Sequence, residues 1–299
     1  MVTKKPKEEP KPEEKTVAPE PIPESAPGPA PEPVAEVAVV VPPDLVVVPV
    51  PEEETAVVGR GKLSFDKTAW KPRTSLGKKV KDGEIKDIDT ILDSGIHFME
   101  AEIVDALLPG LETDMLFIGQ AKGKFGGGKR RVFRQTQKKS PEGNKPKFGA
   151  FAVIGNKDGY VGLGYGKAKE TVPAREKALR NAKLNLIKLK RGCGSWACGC
   201  KTPHSIPFAV EGKVGSAYIK LMPAPKGAGR VVESECAKIL EYAGVKDVYS
   251  RTDGQTRTRV NLLKACIKAL KKLSDTNIQP GHIEKLGIID GKIKKQESE

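Results

Sequence analysis

An α+β fold in two small units is predicted for this chain by three observations. A β-prone run, Phe148 to Ile154, is followed by a turn at Asn156 to Gly159, a glycine-rich strand from Tyr160 to Tyr165, and a helix-period stretch from Pro173. The same order returns further on, with strand patterns between Ile206 and Met222 and helix patterns at Val232 to Tyr242 and Arg257 to Leu273. The third observation is charge, which totals +14 over 299 residues but is unevenly placed. Residues 1–58 carry five Lys against twelve Asp and Glu, a net of −7, which leaves +21 on residues 59–299. A folded part with that surplus is expected to meet polyphosphate. Nucleic acid fits better than a membrane, because no charge-free apolar run is long enough to span one.

Taken in order, residues 1–58 hold 14 of the 24 prolines and little apolar periodicity, so they read as a disordered acidic tail. Residues 59–122 read as a basic arm with short helices. Arg60, Lys62, Lys71, Arg73, Lys78 and Lys79 are placed to meet phosphates, and Trp70 either stacks on RNA or anchors to the protein. A solvated linker is the alternative for its first part. Two short helices, Ile88 to Asp93 and Glu100 to Leu108, follow, ended by Gly95 and Pro109.

Residues 123–192 read as the first folded domain. It opens with GKFGGGKRRVFRQTQ, in which Gly126, Gly127 and Gly128 let the backbone approach another backbone while Lys124, Lys129, Arg130, Arg131 and Arg134 supply charge. That suits a phosphate backbone, although a surface turn would have a similar composition. KKSPEGNKPK reads as a polar hairpin loop joining antiparallel strands at Lys129 to Gln137 and Lys147 to Ile154. The helix predicted from Pro173 carries Ala174, Ala178, Leu179, Ala182, Leu186 and Leu189 on one apolar arc, with Lys177, Arg180, Lys183 and Arg191 outside it. The run Gly162, Gly164, Gly166, Lys167 precedes this helix but is not a nucleotide loop. A P-loop needs Gly at 161 and Ser or Thr at 168, where Val161 and Ala168 stand.

Residues 193–204 form a Cys-rich linker in which Cys193, Cys198, Cys200 and His204 follow a C-x4-C-x-C-x3-H spacing. Four such ligands suffice for one tetrahedral zinc, a possible structural ion, while free thiols in a tight turn would read the same way. Residues 205–274 form a second, α/β domain with a hairpin about Gly215, the loop PAPKGAGR with Lys226, and two helices flanking a short strand at Asp247 to Ser250 and a turn at Thr252 to Thr256. Cys236 and Cys266 lie on helices as core fillers. Residues 275–299 read as a mobile polar tail. Five cysteines, an odd number, and no signal-peptide pattern point to a reducing cytoplasm.

The motifs GNKDGYVGLGYGKAKE, RGCGSWACGCKTPHSIPF, IKLMPAPKGAGRVV and AGVKDVYSRTDGQTRTRVN resemble the small-ribosomal-subunit proteins of the S-five family in its archaeal form. The resemblance runs in order from about Gly59 to Ser274. It implies a double-stranded-RNA-binding-like domain of three strands and a helix, then a small α/β domain of the S-five domain-two-like fold, between disordered termini. It implies a non-enzymatic constituent of the ribosome. Such a protein sits on small-subunit (16S-type) rRNA at the junction of head, body and platform, touches proteins of the S-four and S-eight families, and borders the messenger RNA entry channel. The stretch resembling Phe125 to Arg131 is the one that the family links to reading accuracy. On this view the rRNA-binding residues are Arg60, Arg73, Lys124, Gly126 to Gly128, Lys129, Arg130, Arg131, Arg134, Lys177, Arg180, Lys226, Arg257 and Arg259. Two other readings stand beside it. One is a small-molecule kinase, for which His97, His204 and His282 lack patterned carboxylates; the other is a free double-stranded-RNA-binding regulator.

Overall fold

The computed structural model describes residues 61–62, 67, 70–120 and 130–292. The expectations for the acidic segment 1–58, for Arg60, and for Lys124, Gly126, Gly127, Gly128 and Lys129 lie outside these residues. The chain runs β1 (Gly61–Lys62), α1 (Ser75–Asp82), α2 (Ile88–Asp93), α3 (Ala101–Leu107), β2 (Glu112–Met115), β3 (Arg134–Ser140), β4 (Gly143–Gly155), β5 (Tyr160–Ala168) and α4 (Thr171–Leu184). It continues through β6 (Leu186–Lys188), β7 (Lys190–Arg191), β8 (Val210–Val214), β9 (Ala217–Pro223), β10 (Arg230–Val231) and α5 (Ser234–Tyr242). The remaining elements are β11 (Val248–Gly254), α6 (Arg259–Asp275), α7 (Pro280–Leu286) and β12 (Ile289–Asp290).

The first sheet has six strands in the order β1-β2-β4-β5-β6, with β3 paired to β4 beside β2. Where three strands and a helix were expected, the sheet that carries α4 takes in β1, β2 and β6 as well as β3, β4 and β5. What holds α4 on that sheet is the glycine run. A methyl group added at Gly164 would meet Ala178 O at 2.1 Å and Ala182 N at 2.2 Å, and one at Gly162 or Gly166 would meet Ala182 O or Ala174 O at 2.3 or 2.2 Å. Glycine on every second strand residue thus faces alanine on successive helix turns, Ala174, Ala178 and Ala182, all buried. The same device recurs in the second sheet, where Gly212 on β8 lies under Ala265 and Ala269 of α6. The run Gly162 to Gly166 is a packing surface, not a cradle for phosphate.

Several boundaries differ from the sequence pattern. The helix stops at Leu184, and Leu186 and Leu189, read on its arc, leave it: Leu186 opens β6 opposite Gly162, while the Leu189 N–H reaches Gly159 O at 2.9 Å. Both side chains are buried, so the apolar positions were right and the period was wrong. Of the supposed cationic face, Lys183 bonds Asp105 at 2.5 Å, and buried Arg191 bonds Asp158 at 2.6 Å and Gly291 O at 3.0 Å. KKSPEGNKPK is not a loop but the outer end of the β3–β4 ladder, paired from Gln137↔Pro146 to Ser140↔Gly143. The strand read at Asp247 to Ser250 runs on to Gly254, through much of the expected turn. Nor are residues 275–292 a tail, since they hold α7 and β12, and β12 pairs with β7.

The arm is built in as well. Trp70 is buried with Ile88, Ile91, Phe98, Ile103 and Val104 against Ile154, Tyr160 and Leu186 of the sheet, so it is anchored to the protein. Thr74 caps α1 by accepting from the Gly77 N–H at 3.1 Å, and Glu100 accepts the backbone N–H groups of Arg73 and Thr74 at 2.8 and 2.6 Å.

The second sheet runs β10-β11-β9-β8, with β10 and β11 parallel and the other pairs antiparallel. Helix α6 packs on β8 and β9. Its core joins that of the first sheet: Leu116, Phe151, Val153 and Leu163 belong to one cluster with Ile219, Leu221, Ile239, Leu240, Leu263 and Leu270. Cys236 and Cys266 are buried free thiols in that cluster, and their mutual contact followed by burial pushes the Cys236 thiol up. Burying each such side chain contributes roughly 1.5–3 kcal/mol, so the two halves stabilise each other.

Candidate nucleic-acid interface and metal centre

Two regions gather the predicted site residues. The first is a cleft of 210 Å³ lined by Arg130, Arg134, Arg257 and Arg259, with Gln120 and Thr258 between them. Its floor is set by a neck: the Gly119 N–H donates to Arg131 O at 2.8 Å and the Arg131 N–H to Gln120 O at 3.3 Å, closing the two ends of segment 121–129 on each other. Only glycine suits position 119, because an added methyl would lie 2.4 Å from Phe133 O and 2.7 Å from Arg131 O. The far wall is the start of α6, whose cap residue Thr258 makes no side-chain cap bond and whose first turn has no acidic residue. The positive end of the α6 dipole adds partial charge to the four guanidinium groups.

Arg259 is partly engaged, with Nη1 donating to Phe117 O at 3.2 Å and Nη2 lying 3.3 Å from Glu233. Among the described residues, Arg130, Arg134 and Arg257 have no carboxylate within ion-pair distance. Crowded cations without counter-charge are costly alone and favour a polyanion, which guanidinium forks bind through paired hydrogen bonds. Arg131 is exposed beside the neck, Lys177 and Arg180 are exposed on α4, Arg73 is exposed before α1, and Lys226 is exposed after β9; none of these lines the cleft. Gln120 and Thr258 carry no sequence signal that would have singled them out.

The second region is the Cys–His cluster, where the ligand atoms of Cys193, Cys198, Cys200 and His204 all lie within 4.8 Å of one another. A tetrahedral zinc with Zn–S of about 2.3 Å and Zn–N of about 2.0 Å requires donors roughly 3.5–3.8 Å apart. His204 Nε2 already stands 3.9 Å from Cys198 Sγ. The Thr202 hydroxyl, 3.0 Å from Cys200 Sγ, and the Thr202 backbone hold that thiol down to about 6, the thiolate form a metal needs. Burial, first, with the neighbouring thiols, pushes Cys193 up. His204 is buried and its Nδ1 faces buried Asp247 at 2.8 Å, an acceptor that leaves Nε2 free to ligate. Asp247 lies 43 residues away, so spacing alone could not find it. The residues present fit the ion. Beside them Trp196 is fully exposed, in contrast to Trp70.

Family models place these regions. Residues 127–190 match the model described as Ribosomal protein S5, N-terminal domain, and residues 212–279 match Ribosomal protein S5, C-terminal domain. The chain is 48% identical over 224 residues to the small ribosomal subunit protein uS5 of Nanoarchaeum equitans, covering 75% of this chain and 96% of that protein. It is 46% identical over 231 residues to the protein of the same name from Methanocaldococcus jannaschii, covering 77% of this chain and 100% of the other. The chain belongs to the uS5 family. The N-terminal match begins at residue 127, between the two sides of the neck, and takes in the Arg130–Arg134 wall, and the C-terminal match takes in Arg257 and Arg259. The Cys–His cluster falls between the two uS5 domain matches. No helix among the described residues is long and apolar enough to cross a membrane.

Proposed function

We propose that the arginine cleft docks on the phosphate backbone of small-subunit rRNA. As a uS5 family member the chain is a structural constituent of the small ribosomal subunit and not an enzyme. The observation that carries the docking reading is the convergence of Arg130 and Arg134 with Arg257 and Arg259, from segments more than 120 positions apart, with no carboxylate among the described residues neutralising three of them. Lys124, Gly126, Gly127, Gly128, Lys129 and Arg131 extend the contact from the neck, and Arg60, Arg73, Lys177, Arg180 and Lys226 add phosphate contacts elsewhere. The RNA is read by shape and phosphate, as a double-stranded-RNA-binding-like domain reads it. On this reading the protein works in the cytoplasm, on the ribosome. It lies at the head, body and platform junction near the messenger entry channel, beside proteins of the S-four and S-eight families, and supports assembly and accuracy.

The test is the salt dependence of assembly into small subunits. Arg130→Gln with Arg134→Gln should flatten the log–log slope by about 0.7 to 0.9 for each phosphate that is no longer neutralised. An unchanged slope rejects the cleft as a phosphate site.

A second reading concerns zinc. The mutual approach of four donors, with Asp247 orienting His204, supports a structural zinc held by Cys193, Cys198, Cys200 and His204. The ion would supply a fixed tetrahedral crosslink; the chain's own part is to offer three sulfurs and Nε2 from one short segment.

A further inference from the structure

The buried carboxylate of Asp247 serves three partners on two sides. Its Oδ2 lies 2.8 Å from His204 Nδ1, while its Oδ1 accepts the backbone N–H groups of Gly227 and Gly229 at 3.1 and 2.9 Å. Those glycines, at φ of 92° and 71°, belong to the loop after β9 that carries exposed Lys226. Ser205, next to His204, strengthens the same junction: its hydroxyl donates to Asp247 O at 2.5 Å and accepts from the Ala224 N–H at 3.2 Å. The His204 carbonyl in turn accepts the N–H groups of Lys246 and Asp247 at 2.9 and 3.1 Å. A continuous buried network therefore runs from the ligand cluster to the loop.

We propose that Asp247 is a positioning residue that couples the metal centre to the 224–229 loop, fixing His204 as an Nε2 ligand with one oxygen and holding the loop with the other. The proposal rests on the zinc reading above. Its chemistry is specific to a carboxylate, which accepts on both sides at once. An asparagine accepts on one side only. With its oxygen toward Gly227 and Gly229, its NH2 faces His204 Nδ1, which must then accept, so the ring proton moves to Nε2 and blocks ligation. Turned over, it keeps the histidine tautomer and sets its NH2 against the two glycine N–H groups.

The experiment uses the full chain with zinc alone as probe, reading zinc affinity by competition with a chromophoric chelator and amide exchange at Gly227 and Gly229. In the unsubstituted chain, removing zinc should speed exchange at both glycines while leaving amides of α6 protected. Asp247→Asn should either weaken zinc 10- to 100-fold, the usual cost of losing such an outer partner, or release the loop amides. A variant that keeps both properties overturns the proposal, as does loop exchange indifferent to zinc in the unsubstituted chain, a comparison that needs no variant to fold. A chain that takes up no zinc rejects the metal centre itself, and that result appears before any substitution is made.

Discussion

The arginine cleft and the Cys–His cluster are both sets of four residues, and they are assembled in opposite ways. The cleft draws on segments more than 120 positions apart, on exposed or half-buried side chains, and three of its arginines have no described carboxylate partner. The cluster draws on twelve consecutive positions, with Cys193 and His204 buried and the imidazole held by Asp247. Long guanidinium arms tolerate small displacements of a phosphate, so the cleft, as the phosphate site proposed above, should recognise charge density and lose affinity in increments. A tetrahedral site tolerates neither a missing donor nor a wrong tautomer, so the cluster should fail all at once.

The largest effect should follow from removing ligands. Cys198→Ser with Cys200→Ser leaves two donors, and bound zinc, measured by elemental analysis of the full chain, should fall from one equivalent to none. Metal that persists in this variant would mean that the ligand set is wrong and that the cluster is no more exacting than the cleft.

Next comes a substitution that leaves the chemistry of both sites alone and attacks the first sheet, to which Arg134 of the cleft belongs. Gly164→Ala places a methyl 2.1 Å from Ala178 O and 2.2 Å from Ala182 N, so α4 must lift from the sheet. Overpacking of this kind costs about 1–3 kcal/mol and occasionally more, and denaturant unfolding should show a loss at the upper end of that range. Zinc content should stay at one equivalent if the cluster is held by its own short segment and by Asp247, just before β11, not by α4. Loss of zinc in this variant would show that the two regions are not separable.

These residues also show what was legible beforehand. The apolar positions of α4, the hairpin of β4 and β5, and the ligand spacing are local patterns, and they appear in the sequence as they do in the fold. The end of α4 was misread because Leu186 and Leu189 satisfy a helical arc equally well, and only pairing with β5 tells strand from helix there. Residues 276–292 are polar and glycine-bearing like a tail, yet Ile289 pairs with Arg191, nearly a hundred positions away, a pairing no local period encodes. The cleft was half legible. Its arginines were singled out as charges, but their convergence depends on a core shared between the two sheets. Asp247 lay within a motif of the chain without a role, because its importance comes from three partners distant in sequence.

The smallest effect is the one that separates convergence from charge. Arg257 lines the cleft, whereas Lys213 is also exposed but stands on β8 and does not line it. Arg257→Gln and Lys213→Gln each remove one positive charge from a chain of net +14, so a protein held to rRNA by overall charge would lose the same affinity through either. If the cleft is a site, Arg257→Gln removes a fork-shaped donor together with the phosphate it neutralises and flattens the salt slope by about 0.7 to 0.9. Lys213→Gln, removing a charge from outside the proposed phosphate contacts, changes the slope by less, although binding falls slightly. The comparison is made on small subunits reassembled over a range of salt with each variant in turn. Equal changes in slope would mean that the four arginines are only a dense part of a basic surface, and that the cleft has no recognition of its own.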